Sequence, residues 1–183
     1  MDDKLLAARD MFWAYSCSGF QIDRDGAGAK YRELGGCREH ETQWRDEYIH
    51  RNVELAQTNI VDGMRLLSYA QAQEALNEVM SLRNYGDDYE KFWYAFYLSE
   101  LARLDNTPKG VRAAARKRAA NLWNEIVHTP LKVTPENRQK VHEDALKAFR
   151  AESAEEYFTR FSRRKLAEAE QQGIVPDALT SLG

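Results

Sequence analysis

Ten glycines and four prolines among 183 residues leave this chain few places to turn, so a few long elements are expected rather than many short strands. Five of those glycines are crowded between Gly19 and Gly36. Elsewhere apolar residues recur three and four positions apart, the period of a helix with one buried face. The fold class this predicts is all-α: a single-domain antiparallel bundle of six or seven helices over 1–172, with 173–183 as a C-terminal tail.

Residues 3–18 place Leu5, Leu6, Ala8, Met11, Phe12 and Tyr15 at helical spacing and predict a first helix. The glycine-rich stretch 19–36 breaks that pattern and is expected to be a long solvated loop, the kind of segment that often carries function. Helical periodicity returns after Cys37 and reaches about Asn84, with one interruption near Asn59 to Gly63, which makes two or three helices. DDYEKFWYAFYLSELARLD, residues 87–105, opens with acids at its N-terminus and is apolar nearly all the way round. Such a helix is central or covers a partner surface. Thr107-Pro108 and Thr134-Pro135 each read as an N-cap followed by proline at the first helical position. Ser153 and Glu156 have capping-box spacing for a last helix, closed by Gly173 and Pro176.

Hydrophobic residues make up 43% of the chain and aromatic residues 11%, which excludes a disordered protein. No apolar run approaches the roughly 20 residues of a membrane span, so no membrane partner is expected. The first residues, MDDKLLAARD, lack the apolar core of a secretory signal, and a cytoplasmic location with Cys17 and Cys37 reduced is expected. The charge is divided: residues 1–107 carry 12 Lys/Arg against 19 Asp/Glu, whereas 108–183 carry 14 against 10. The molecule can therefore have an acidic end and a basic end.

Two Glu-x-x-His pairs, Glu47 with His50 and Glu125 with His128, have the spacing of ligands on adjacent helical turns. With Asp10 and Glu90 they fall on four predicted helices in an order that resembles the ferritin-like di-iron proteins, which implies a di-metal oxidoreductase. The resemblance covers six positions and departs from the family where Asp10 stands in place of a glutamate. At about 100° per residue, the stripe Trp44, Tyr48, Ile49, Val53, Leu55, Ala56 and Ile60 points roughly 150° away from Glu47 and His50. His128 lies nearly opposite the stripe Val111, Ala115, Ala119, Leu122 and Ile126. Those facings send the pairs to water, where each serves as an ordinary surface pair.

Asp23 and Asp25 before Gly26 do not make a calcium loop, because Arg32 stands where the bidentate glutamate is required. DGAGAK lacks the spacing of a phosphate-binding loop. Lys109, Arg112, Arg116, Lys117 and Arg118 form a basic run without an acid, and Arg160, Arg163 and Arg164 form a second cluster. If the two converge, they suit a nucleic-acid backbone. Glu100 lies on the most apolar helix and needs a partner, for which Arg103 is one turn away. Histidines 40, 50, 128 and 142 sit among charges, and no serine has a nucleophile-elbow setting, which turns the reading away from catalysis.

The function expected from sequence is a non-catalytic cytosolic module, regulatory or inhibitory, that binds another protein and needs no cofactor. Its contacts are expected at Phe20, Tyr31, Tyr94, Tyr97, Arg112 and Arg116, since aromatics and arginines dominate protein hot spots. Nucleic-acid binding through the two basic clusters is the alternative, and the di-metal oxidoreductase is the third reading.

Overall fold

The computed structural model describes residues 2–104, 106–147 and 154–178, and Ser153, Leu179, Leu182 and the side chain of His142 lie outside what is described. The described structure is all-helical, with no strand. Ten α-helices follow in order: α1 (Asp3–Ala14), α2 (Gly19–Arg24), α3 (Gly28–Glu33), α4 (Arg38–Thr58), α5 (Ile60–Tyr69), α6 (Leu76–Val79), α7 (Asp88–Leu101), α8 (Lys109–His128), α9 (Pro135–Lys147) and α10 (Ala154–Gln171). Three of them, α2, α3 and α6, are six residues or shorter. Backbone contacts divide the chain into two compact units, Met1–Ala75 and Leu76–Gly183, whereas the sequence alone suggests one body followed by a tail from 173.

In the first unit α1 ends abruptly because Ser16 and Cys17 both take left-handed backbone angles, φ 52° and 60°. For residues with a Cβ this conformation costs on the order of 1–2 kcal/mol each, and it reverses the chain directly into α2. The glycine-rich stretch is therefore not a loop. Ser18 caps α2 by accepting from the Gln21 N–H, and Ile22 and Tyr31 enter a core with Ala8, Phe12 and Trp44. The Asp23 carboxylate pairs with Arg32 across the two short helices at 2.9 Å. Trp13 ties α1 to α4 by donating its indole N–H to the Trp44 carbonyl at 2.8 Å.

One residue joins α4 to α5. Asn59 is the C-cap of the first, donating its N–H to the Leu55 carbonyl, and the N-cap of the second, where its side chain accepts from the Asp62 N–H. The two helices then close so tightly that Gly63 meets the backbone of Ala56, and a Cβ added at 63 would sit 2.6 Å from the Ala56 Cα.

In the second unit α7 is central, as its aromatic content implies. Phe92, Tyr94, Ala95, Leu98 and Leu101 are buried, and Phe92 meets Phe158 and Phe161 of α10 at ring-centroid distances of 4.5 and 5.1 Å. The core stripe of α8 is Ala115, Ala119, Ala120, Leu122, Trp123 and Ile126. Thr107 does not cap α8: the N-cap is Pro108, and the Thr107 hydroxyl is buried without a partner.

Asp87 organises the start of two helices. Its Oδ1 caps α7 by accepting from the Glu90 N–H at 3.0 Å. Its Oδ2 accepts from the Thr134 N–H and hydroxyl and from the Asn137 amide at 2.9, 3.0 and 2.9 Å. Burial alone would raise this carboxyl, but the donors from Thr134, Asn137 and Glu90 outweigh it and hold the carboxyl below its ordinary value. Asp88 accepts from the Lys132 N–H and from Lys91 Nζ, so residues 132–137 are fastened to the head of α7.

The segment after α10 is also fastened. Gly173, at φ 74°, turns the chain so that the Ile174 N–H reaches the Ala169 carbonyl. Asp177 then pairs with Lys117 at 2.7 Å and exchanges two hydrogen bonds with Asn121 of α8, its carboxylate accepting from the side-chain amide and its own N–H donating to the amide oxygen. Residues 173–178 are thus fastened to α8 and α10.

Candidate functional site

Three helices of the second unit line a half-open cavity of about 300 Å³. Ser99 of α7 and Arg103, just beyond its end, form one side, Arg116 and Trp123 of α8 the next, and Lys165, Glu168 and Ala169 of α10 the third, with Gln172 and Ile174 completing it. The sequence explains the convergence. Arg116 and Trp123 are two turns apart on one face of α8, Lys165, Glu168 and Ala169 share one face of α10, and the turn at Gly173 folds Ile174 back beside them.

The charges in this wall are unequally compensated. Arg103 pairs with Glu100 at 3.1 Å, as the one-turn spacing anticipates, and Lys165 pairs with Glu168 at 2.8 Å. Lys165 also lies 5.6 Å from the Phe161 ring centroid. Arg116 is partly buried, and among the described residues no carboxylate comes within ion-pair distance of it. The Trp123 side chain is buried and its indole N–H has no hydrogen-bond partner. The wall thus combines an uncompensated guanidinium, the Ser99 hydroxyl, and apolar surface from Trp123, Ala169 and Ile174.

Only part of the protein-contact set expected from sequence is at the surface. Phe20 is 75% exposed, whereas Tyr31, Tyr94 and Tyr97 are buried and cannot serve as contacts in this conformation. Tyr31 packs on Phe12 and bonds Glu41, Tyr94 donates its hydroxyl to the Val79 carbonyl at 2.8 Å, and Tyr97 stacks on Trp93. All three are core residues whose hydroxyl or ring edge mimics a surface tyrosine in the sequence. Arg112 is partly buried and donates to the Thr107 carbonyl.

The basic run is divided among several directions. Lys109 is exposed at the head of α8, Lys117 is taken by Asp177, and Arg118 donates to the Tyr85 hydroxyl at 3.0 Å. Arg160, Arg163 and Arg164 are exposed on α10, with Arg164 over the Phe161 ring and near Glu168. The basic residues of the two helices meet at the cavity, through Arg116 and Lys165, and Lys165 has no distinguishing signal in the sequence.

The six candidate metal ligands are engaged separately. In the first unit Asp10 and Glu47 are reached by Arg9, and His50 pairs with Glu54 at 3.4 Å. In the second, Glu90 accepts from the Gly86 N–H, Glu125 pairs with Lys91 at 3.3 Å, and His128 Nδ1 donates to the Asn124 carbonyl. Among the described residues no three histidine, cysteine or acidic side chains gather as a metal site.

Cys37 is the N-cap residue of α4, and its Sγ lies 3.3 Å from His40 Nδ1. The same nitrogen is 3.2 Å from the Gly35 carbonyl, which can only accept, so Nδ1 carries the hydrogen and donates. His40 therefore does not act as a base toward Cys37 through that nitrogen. Cys17 is different: burial pushes its thiol up to about 12.

Comparison with protein-family models, with curated proteins and with solved structures returns no significant match.

Proposed function

We propose that the chain is a cytosolic, non-catalytic binding module built on antiparallel helix hairpins, which acts by docking on another protein through the Phe20 surface of its first unit. The observation that carries this reading is Phe20 itself, 75% exposed at the second position of α2. It is not a residue on a floppy tip. Two residues on, nearly on the opposite side of the same helix, Ile22 is completely buried, and the helix is capped by Ser18 and bridged to α3 by the Asp23–Arg32 pair. Presenting a large apolar ring on a pinned platform keeps the ordering cost of binding low. Burying a phenylalanine side chain contributes about 1.5–3 kcal/mol to association.

The test is affinity capture from the native host with wild-type protein and Phe20→Asp, each with and without nuclease, read by quantitative mass spectrometry. A stoichiometric protein that survives nuclease and is lost with Phe20→Asp supports the reading. Equal capture by both proteins overturns it. Loss of every partner on nuclease treatment overturns it in favour of a nucleic-acid contact at the basic residues of α8 and α10.

A further inference from the structure

We propose that the cavity between α7, α8 and α10 is a receptor site for a small organic oxyanion, a carboxylate or phosphate ester with an apolar body, held by Arg116 and seated against Trp123. This site does not depend on the Phe20 surface.

Charge comes first. Arg103, Arg116 and Lys165 line the cavity against the single carboxylate of Glu168, so the wall carries an excess of positive charge. Arg103 and Lys165 each hold an acidic neighbour, on Glu100 and Glu168, which leaves Arg116 as the lining cation without one among the described residues. A guanidinium in a partly desolvated wall is stabilised by a bidentate oxyanion more than by water, and its planar fork fits carboxylate or phosphate oxygens.

Shape and polarity then restrict the rest of the ligand. About 300 Å³ lies at the lower end of the range for metabolite-sized ligands. Trp123, Ala169 and Ile174 supply the apolar share of a lining that is more polar than apolar, and an inorganic anion would leave that share unused. The Trp123 indole N–H is buried without a partner, a condition that costs about 1–3 kcal/mol and calls for an explanation in a native structure. That nitrogen is closed to solvent in this conformation, so the ligand is held by Arg116 and not by this donor.

The cavity is also held open in advance. Ile174 is set in place by the turn at Gly173, and the segment beyond it is clasped to α8 by Asp177 through Lys117 and Asn121. Binding therefore needs little ordering of the chain.

The full-length protein, labelled with ¹⁵N, is titrated with benzoate, phenyl phosphate, inorganic phosphate and the neutral benzamide while the indole N–H signals are followed; Trp123→Phe assigns the reporter. Benzoate or phenyl phosphate is expected to move the Trp123 signal saturably, and whichever binds more tightly names the oxyanion. Arg116→Gln is expected to weaken binding about tenfold or more, Arg116→Lys to retain part of it, and Arg163→Gln on exposed α10 surface to leave it within about twofold. The well-dispersed spectrum of each variant establishes that it is folded. The proposal is overturned if neither organic anion shifts Trp123, if benzamide binds as well as benzoate, or if Arg116→Gln binds as well as wild type. Inorganic phosphate binding as tightly as phenyl phosphate would also overturn it, since the apolar wall would then play no part.

Discussion

Replacing Asp87 by alanine removes an acceptor shared by two helix starts. Four hydrogen bonds end on this carboxylate, one from the Glu90 N–H and three from Thr134 and Asn137. Loss of the α7 cap costs about 1 kcal/mol. The Asn137 amide is buried, and stranding such a donor costs about 1–3 kcal/mol. Thr134 is exposed, so water replaces much of what its two donors lose and the remainder is about 1 kcal/mol. The expected destabilisation for Asp87→Ala is thus about 3–5 kcal/mol. Asp87→Asn keeps the shape and one acceptor oxygen. With that oxygen turned toward Thr134 and Asn137, it sacrifices mainly the α7 cap and the charge, for about 1–2 kcal/mol. Urea unfolding followed by far-ultraviolet circular dichroism measures both, and hydrogen exchange of residues 87–137 localises the loss. A change below about 1 kcal/mol for the alanine variant, or an asparagine variant as damaged as the alanine one, would refute the shared-acceptor argument.

The same carboxylate predicts an acid response. Because its folded-state pKa lies below the ordinary 3.8, its contribution is fully present above that value and is lost as pH falls through the folded pKa; acid unfolding of wild type should therefore be steeper below 3.8 than that of Asp87→Asn, and identical profiles would contradict this. Gly63→Ala should destabilise the protein by about 1–3 kcal/mol although alanine is the better helix former, because the new methyl meets the Ala56 backbone; a neutral or stabilising change in urea unfolding would show that α4 and α5 can separate without loss. Iodoacetamide at pH 8 should label exposed Cys37 first and leave Cys17, whose thiolate fraction there is about one in ten thousand; peptide mapping that finds equal labelling would show the first core opening readily.

The long helices were the legible part of this fold. The stripe Trp44, Tyr48, Ile49, Val53 and Ala56 is buried on α4, and Ala115, Ala119, Leu122 and Ile126 are buried on α8, because period 3.6 is imposed by the core itself. The stretch 19–36 reads as a loop because its glycines outweigh its few apolar residues, yet Ser18 and Gln21 already have N-cap spacing, and Ile22 and Tyr31 are its two core anchors. Glu100 with Arg103 was readable because both partners lie on one turn. Arg116, Trp123 and Lys165 come together only after α8 and α10 pack, so spacing within either helix does not reveal the cavity. Asp87 looked like a helix-start acid, which it is, but its reach to Thr134 and Asn137 spans about fifty residues of chain and leaves no local signature. Tyr31 and Tyr94 show the converse: a tyrosine with a satisfied hydroxyl is as much at home in a core as on a surface.

The one-residue joint at Asn59 has a consequence for descent. A single inserted or deleted residue there would turn α5 by about 100° about its own axis, taking Gly63 away from Ala56 and bringing Ile60, Met64 and Leu67 toward water. Such a change cannot be absorbed by a slack connector, since none separates the two helices. Any lineage of this protein should therefore vary freely in side chains on the outer faces of α4 and α5 while keeping the number of residues between Ala56 and Gly63 constant.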